Sequence, residues 1–210
     1  MLIHLLKSFA LTGGEWVIYI LILCSILSLA VVIERAVVLS RERKEIREVR
    51  TIFERSLENG SLALPEELRK FSGVSARVLT AGFSGSSGGI EAAEETMASA
   101  VSDEKRRIEV RMVILNTLGN NAVYIGLFGT VLGVIKAFHD LAQESGAGPE
   151  VVMQGLSEAL IATAVGLLVA IPCVIAYNIL QKQIKDILSQ TDSMTHALLA
   201  QIKSEKSNRS

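Results

Sequence analysis

The chain has 210 residues, half of them hydrophobic and 20% charged, with a formal net charge of −1. Such bulk fractions also occur in soluble domains, so the informative feature is where charges are missing. Three stretches, residues 16–33, 112–135 and 159–180, contain no Asp, Glu, Lys or Arg. Because a helix needs roughly 20 residues to cross the hydrocarbon core, the sequence predicts an all-α integral membrane protein with three transmembrane helices. Buried core helices of a soluble protein explain three such stretches poorly.

The N-terminal part is predicted to form an amphipathic lead-in (1–15) followed by the first span (16–34). A cleaved signal peptide does not fit, because the apolar run is too long, an acidic residue precedes it and no small-residue cleavage site follows. Cys24 and Cys173 both lie within spans, so they are interpreted as small apolar fillers rather than as a disulfide or a metal site.

Residues 35–111 are predicted to be a cytoplasmic helical segment. A charged helix continues from the first span to Asn59-Gly60, and short helices follow around 65–71 and 75–81. The glycine- and serine-rich turn at 82–89 lacks the Gly-Lys-Ser/Thr ending of a phosphate-binding loop. From Ile90 the pattern predicts one uninterrupted helix of about 45–50 residues into the second span. A segment this small with few aromatic residues predicts no enzyme and no cofactor.

The distribution of charge orients the predicted spans. The second span (112–138), an outer loop (139–150), the third span (151–180) and a C-terminal helix and tail (181–210) complete the chain. Lys and Arg cluster after the first span, before the second and after the third, whereas the loop between the second and third spans is acidic. The positive-inside rule therefore places the N-terminus outside and the C-terminus inside. The sequence therefore predicts a multi-pass membrane protein, surrounded by lipid and not bound to nucleic acid.

Small residues collect on one face of each of the last two spans when these are placed on a helical wheel. In the second span they are Gly119, Ala122, Gly126, Gly129, Gly133 and Ala137, with Thr130 at the edge. In the third span they are Ala159, Ala162, Thr163, Gly166, Ala170 and Cys173, together with the larger Tyr177. Such strips let helices approach closely in lipid. They either pack the two spans against each other or receive a partner helix, and the two threonines could line a narrow polar path.

Three further features of these spans stand out. Glu158 is the only carboxylate within reach of the membrane interior; it either marks an ion pathway or is an interfacial residue of the first helical turn. Pro172 removes a backbone hydrogen bond and is predicted to bend the third span. Asn116, Asn120 and Asn121 form a polar cluster, consistent with a wet region or with hydrogen bonds between helices.

The deep parts of all three spans lack a group that could carry a proton. Continuous proton transport needs a residue in the membrane that binds and releases a proton, usually an Asp or a Glu. None lies in residues 16–33, 112–135 or 159–180. If protons pass, another chain must supply the carrier.

Two blocks of the sequence resemble the TolQ/ExbB/MotA family of proton-channel proteins. They are IGLFGTVLGVIKAF (125–138) and GLSEALIATAVGLLVAIPCVIAYN (155–178). Three spans and a short cytoplasmic segment are similar to the ExbB and TolQ branch rather than to the four-span MotA branch. Family members usually have Ala-Pro before the first block, whereas this chain has Ala122-Val123-Tyr124. This departure concerns the exact subfamily rather than the architecture.

The resemblance implies an assembly. Five copies would form a ring around a central pore lined by the second and third spans. Two copies of a single-span partner resembling ExbD or TolR would sit within it and supply the proton-carrying Asp. The family's pore threonines correspond to Thr130 and Thr163, and its third-span glutamate corresponds to Glu158. Inward proton flow would drive motion that reaches a periplasm-spanning effector of the TonB or TolA kind, or one used in surface motility.

Two other functions remain open at this stage. A structural membrane scaffold would use the small strips for packing and would move no ion. A small-solute transporter would work without a partner, but the spans show neither paired charges nor inverted repeats.

Overall fold

A computed structural model describes residues 11–58, 66–143 and 149–208, and every regular element in these ranges is a helix. The α-helices are α1 (Glu15–Glu58), α2 (Val74–Gly85), α3 (Ile90–Ile108), α4 (Met112–Gln143) and α5 (Pro149–Asn208). Short 3₁₀ helices, Glu66–Lys70 and Ser86–Gly88, flank α2. The predicted all-α class is confirmed for the part of the chain described.

Three of these helices, α1, α4 and α5, are long and apolar enough to cross a membrane. In the most apolar 18-residue window of each, only 22%, 28% and 33% of the residues are buried within the chain. Large aliphatic side chains therefore point outward, which suits contact with lipid or other subunits and not with water. Three candidate spans are thus confirmed. Residues 1–10, most of the predicted lead-in, lie outside the described residues.

The helix is interrupted between α3 and α4, so the prediction of one uninterrupted helix from Ile90 is wrong. Arg111 adopts a positive φ of 65°, a left-handed conformation that L-residues rarely enter. The backbone N–H of Glu109 caps α3 by donating to the carbonyl of Lys105. Helix α4 then begins at Met112.

The remaining element boundaries differ from the sequence predictions by smaller amounts. The predicted helix at 75–81 is confirmed and extends over Val74–Gly85, so only part of the predicted turn at 82–89 lies outside regular helix. The predicted helix at 65–71 is a 3₁₀ turn over Glu66–Lys70. Helix α4 continues to Gln143, five residues beyond the predicted span. Pro172 lies inside a continuous α5, and the bend predicted there stays a prediction.

The chain forms two compact units. The span unit contains Met1–Ile33 and Arg111–Asn178, and the charged unit contains Glu34–Val110 and Ile179–Ser210. The charged unit buries apolar side chains along α1, α2, α3 and the last part of α5. Its fully buried large residues include Leu39, Val49, Phe53, Leu68, Leu79, Ile184, Ile187 and Leu198. A polar contact crosses this core, where the hydroxyls of Ser75 and Thr191 lie 2.8 Å apart.

A network of ion pairs also holds the charged unit together. The Arg107 guanidinium donates to the Glu104 carboxylate at 2.6 Å and to the Glu42 carboxylate at 3.0 Å, and Arg77 donates to Glu104 at 3.0 Å. The backbone N–H of Val74 donates to the second oxygen of Glu42. Burial lowers the pKa of Arg107, but hydrogen bonds and charge attraction from Glu104 and Glu42 outweigh it and raise that pKa above its usual value. The network ties α1, α2 and α3 into one unit.

Candidate functional site

Helices α4 and α5 come into backbone contact at a pair of glycines. A Cβ placed on Gly126 would lie 2.7 Å from the carbonyl oxygen of Ala162, and one placed on Gly166 would lie 2.7 Å from that of Ala122. Each of these positions would also come within 3.1 Å of the Cα of the other glycine. Any side chain here would push the helices apart, because contacts this short essentially never occur. Glycine is therefore required at this crossing for steric reasons.

The small strips continue this contact in both directions. A Cβ on Gly133 would meet that of Ala159 at 2.6 Å, and one on Gly119 would meet the Cβ and Sγ of Cys173 at 3.4 Å. As the residue number rises along α4 it falls along α5, so the two helices run antiparallel. Ala159, Ala162, Ala170 and Cys173 are all buried.

The strips therefore face each other within one chain. This arrangement is the packing interpretation of the strips. It differs from the expectation that a partner helix occupies them, because the space in front of the glycines is already filled by the neighbouring helix. The physical reason is that association in lipid rewards close backbone approach, and two strips on consecutive antiparallel spans satisfy this without another chain.

The first span covers the other side of the strip on α4. A Cβ on Gly129 would meet both the Cβ of Ala162, at 2.8 Å, and Cγ1 of Val17, at 3.0 Å. Val17 and Leu21 are fully buried and belong to a cluster with Ala122, Leu132, Val169 and Ala170. Val17 and Gly155 were not predicted to take part in this packing. A Cβ added to Gly155 would meet that of Ala137 at 2.5 Å. The spacing of four residues from Gly155 to Ala159 was the signal that could have extended the strip.

The two threonines predicted to be functional come together. Thr130 and Thr163 are half-buried, and their hydroxyl oxygens form a short hydrogen bond between α4 and α5. The Thr130 hydroxyl also lies 3.2 Å from the carbonyl oxygen of Ala159 and 3.3 Å from that of Gly126. A polar pair thus sits at the partly open edge of an otherwise apolar helix contact.

The hydroxyl pair has one hydrogen more than its own hydrogen bond needs. Each hydroxyl has one donor and two acceptor positions. If Thr130 donates to a carbonyl, Thr163 donates to Thr130; if Thr130 donates to Thr163, the Thr163 hydrogen is available to a third group. The pair can therefore reverse its direction of donation, and in one direction it offers a hydrogen to an acceptor outside the pair.

Glu158 lies apart from the threonine pair, on a cavity of about 440 Å³ in the span unit. The same cavity is lined by Glu15, Lys136 and Asp140. Glu158 is exposed and accepts a hydrogen bond from Gln154 at 3.3 Å, while Lys136 lies 3.8 Å from Glu15. Three carboxylates and one ammonium give this cavity a negative balance, which raises the local concentration of cations, including protons.

Residues 70–193 match the MotA/TolQ/ExbB proton channel family, which is more than half of the sequence. The chain belongs to the MotA/TolQ/ExbB proton channel family. It is 35% identical to the Tol-Pal system protein TolQ of Haemophilus influenzae over 194 residues, which cover 82% of the chain and 81% of that protein.

Two other relatives match a shorter segment of the chain. The chain is 45% identical to the Tol-Pal system protein TolQ of Pseudomonas aeruginosa over 89 residues, which cover 42% of the chain and 38% of that protein. It is 40% identical to the biopolymer transport protein ExbB of Neisseria gonorrhoeae over 101 residues, or 48% of the chain and 46% of that protein. The matched segments thus span less than half of these two relatives.

Membership of the family and three candidate spans together identify a multi-pass protein of the bacterial inner membrane, on the TolQ and ExbB branch. The resemblance predicted from residues 125–138 and 155–178 is confirmed, since both blocks lie within the matched region.

Proposed function

We propose that this chain is the channel-forming subunit of an inner-membrane motor that couples the proton-motive force to mechanical work on a periplasm-spanning effector. The effector would be of the TonB or TolA kind, or one that drives gliding motility. The assembly would contain five copies of the chain and two copies of an ExbD- or TolR-like single-span partner, with the N-terminus of each copy outside and the C-terminus inside.

The hydrogen-bonded pair of Thr130 and Thr163 is the observation on which this proposal rests. It places an exchangeable hydroxyl within the spans of a proton-channel family member, at the edge of the α4–α5 contact. The spans contain no Asp or Glu of their own between residues 112 and 135 or 159 and 180. A carboxylate on a partner helix at this edge could accept a hydrogen bond from the Thr163 hydroxyl. The proton that the partner then carries would come from water on the outer side, so that each threonine keeps a hydrogen.

Glu158 and the acidic cavity support a route to this pair. Glu158 precedes Thr163 by five residues, about 7.5 Å along the helix. In the orientation proposed here, the cavity lies at the outer mouth, where an excess of carboxylates would collect protons before they reach the threonines. Glu158 is the proposed entry residue, and the threonines are the proposed pore residues.

The small strips have an indirect part in this proposal. Gly126, Gly133 and Gly166 with Ala159 set the short distance between α4 and α5 that brings the two hydroxyls together. The partner helix then contacts the edge of the strips, where the threonines lie. Gly129, Ala162 and Ala170 complete the same packing. Pro172 is proposed to bend α5 on the inner side of this contact.

Proton flux into vesicles that contain the complex with its single-span partner tests the proposal. Thr163→Val and Thr130→Val each remove a hydroxyl while preserving side-chain shape, so we expect proton flux to be lost while the complex still assembles. Thr163→Ser and Thr130→Ser keep a hydroxyl and should retain flux. Thr51→Val, at an exposed threonine of α1 outside the spans, is the matched control. Undiminished flux in both valine variants would remove the threonines from the pathway.

A scaffold that moves no ion is the second candidate, and the mutual packing of the strips favours it. On that hypothesis the Thr130–Thr163 bond only stabilises the helix pair. The flux measurement separates the two candidates, because a scaffold complex would show the same flux as protein-free vesicles even with the unaltered chain. The valine variants would then change the thermal stability of the complex and nothing else.

A further inference from the structure

One section of α4 exposes only polar side chains. Between residues 116 and 124 every exposed residue is polar, and we call this set the amide band. Its members are Asn116, Thr117, Asn120, Asn121 and Tyr124. The apolar residues between them, such as Leu118 and Val123, are at least half-buried. The band is therefore a surface feature of the helix and not an accident of composition.

The exposed surface of the middle part of the three spans has the opposite character. Further along the same face of α4 the exposed residues include Leu127, Phe128, Val131, Ile135 and Phe138. The exposed residues of α5 from Leu160 to Ile179 are apolar except for Asn178 at the end, and those of α1 from Ile20 to Ile33 are all apolar. The exposed residues of the amide band are thus polar, whereas the exposed residues of 20–33 and 160–177 are apolar.

Lipid cannot cover this band at low cost. Asn120 donates to the side chain of Asn116 at 3.0 Å, and Asn121 donates to the backbone carbonyl of Thr117 at 2.8 Å. Each carboxamide has two donor hydrogens and an oxygen with two acceptor positions, so these bonds satisfy only a part of the capacity. An amide left unsatisfied in hydrocarbon is costly, and three amides in one leaflet would multiply that cost.

Water fits the band better than a polar partner helix does. At 100° per residue, the band extends over about 140° of the helix surface from Asn116 to Asn121, wider than the roughly 100° stripe that one packed helix covers. It begins at Asn116, five residues or about one and a half helical turns from the cationic Arg111 at the end of the span. Water can enter from that end, follow the whole arc and supply both donors and acceptors to amide, hydroxyl and phenol groups.

We propose that the amide band lines a water-filled inlet that opens at the Arg111 end of α4, the band itself running about 12 Å along the helix from Asn116 to Tyr124. The inlet requires that α4 crosses the membrane but not that protons flow. It extends the proposed function by giving the threonine pair an aqueous approach from the side opposite to the Glu158 cavity.

The inlet can be tested by cysteine accessibility in the complete assembly. Asn120→Cys and the nearly isosteric Thr117→Cys are introduced singly into the full chain, and Leu127→Cys and Val131→Cys are the matched controls on the apolar part of the same face. Cys24 and Cys173 are buried, so the unaltered chain provides the blank. The probe is a charged, membrane-impermeant methanethiosulfonate, applied separately to right-side-out and inverted vesicles.

We expect both band cysteines to react at least tenfold faster than both controls, and from one side of the membrane only, because the thiolate that reacts forms in water and not in lipid. Rates equal to those of the controls would overturn the inlet, whether lipid or a partner helix covers the band. Adding Thr130→Val distinguishes this proposal from the proposed function. That change should stop proton flux and leave the labelling of Asn120→Cys unaltered, so a failure of either proposal is visible by itself.

Discussion

The contact between Gly133 and Ala159 allows the close packing of α4 and α5 to be tested by exchanging the two residues, which moves one methyl group from α5 to α4. In the variant Gly133→Ala the new Cβ would lie 2.6 Å from the Cβ of Ala159 and 3.1 Å from its Cα. Two methyl carbons need about 3.5–4 Å, so the helices must separate by roughly 1 Å at this level. In the double variant Gly133→Ala/Ala159→Gly the 2.6 Å contact disappears, and only the milder 3.1 Å contact remains.

The swap also balances the intrinsic helix preferences of the two residues. Replacing Gly by Ala in a helix favours it by about 1 kcal/mol, and replacing Ala by Gly costs about the same. Overpacking costs about 1–3 kcal/mol, so Gly133→Ala alone should destabilise the helix pair by about 0–2 kcal/mol. Ala159→Gly alone should cost about 1 kcal/mol. The double variant should then be more stable than the sum of the two single effects by about 1–2 kcal/mol, within the range measured for contacting residues.

Thermal unfolding of the full chain in mild detergent measures these four states, and a change of 1 kcal/mol should move Tm by about 2–4 °C for a chain of this length. Thr130 lies one turn from Gly133 on the same helix, so proton flux should fall in Gly133→Ala and recover in the double variant. Strictly additive shifts in Tm would refute the contact. Recovery of Tm without recovery of flux would refute the link between helix distance and the threonine pair.

Three further predictions concern the charged unit and the helix break. Arg107→Met leaves the nearly buried carboxylates of Glu42 and Glu104 with fewer partners and should destabilise the unit by about 1–3 kcal/mol. Amide hydrogen exchange in α3 should become faster in this variant and change little in the control Arg106→Met, whose side chain is exposed. Thr191→Val removes the hydrogen-bond partner of the buried Ser75 hydroxyl and should destabilise the unit by about 1–3 kcal/mol. The double variant Ser75→Ala/Thr191→Val should lose less stability, so a Tm below that of Thr191→Val alone would contradict this. Arg111→Val should destabilise the chain by about 1–2 kcal/mol because valine tolerates a positive φ poorly, whereas Arg111→Asn should be tolerated. Equal Tm values for these two variants would show that residue 111 does not keep its left-handed conformation.

The sequence predicted the helices of the span unit well because lipid imposes a simple rule. Every backbone polar group in hydrocarbon must be paired internally, so a long stretch without charges has to be a helix. The wheel positions of Gly126, Gly129 and Ala162 followed from the same helical geometry, and all three are indeed interior to the unit. Thr130 and Thr163 were singled out as isolated hydroxyls within apolar spans, and the structure joins them.

The sequence could not predict which neighbouring helix the small strips contact. Helical periodicity identifies a face that is rich in small residues, but it does not identify the neighbour that occupies it. Gly126 and Gly166 would look the same on the wheel whether they met each other, another copy or a partner helix. The tertiary arrangement decided this, because the two strips lie on consecutive antiparallel spans and match each other in spacing.

The break at Arg111 was missed for a different physical reason. Helix ends are usually signalled by Gly, Pro or Asn, and the residues from Lys105 to Met112 contain none of these. A non-glycine residue in the left-handed region gives no local signal. The burial of the Glu42 and Glu104 carboxylates could not be predicted either, because a charged helix pattern predicts a solvated face. Only the tertiary fold brings Arg107 to them.

The glycines and threonines of α4 and α5 depend on each other. A hydrogen bond between two short hydroxyl side chains on different helices requires the backbones to lie unusually close, and the contacts of Gly126 and Gly166 provide this closeness. The same closeness leaves no room for a third helix between α4 and α5. In the proposed function, a partner's carboxylate would therefore have to approach the threonine pair from its open edge. The proposed proton pathway would then consist of a hydroxyl pair held by this chain and an acid held by another, so that neither chain conducts alone.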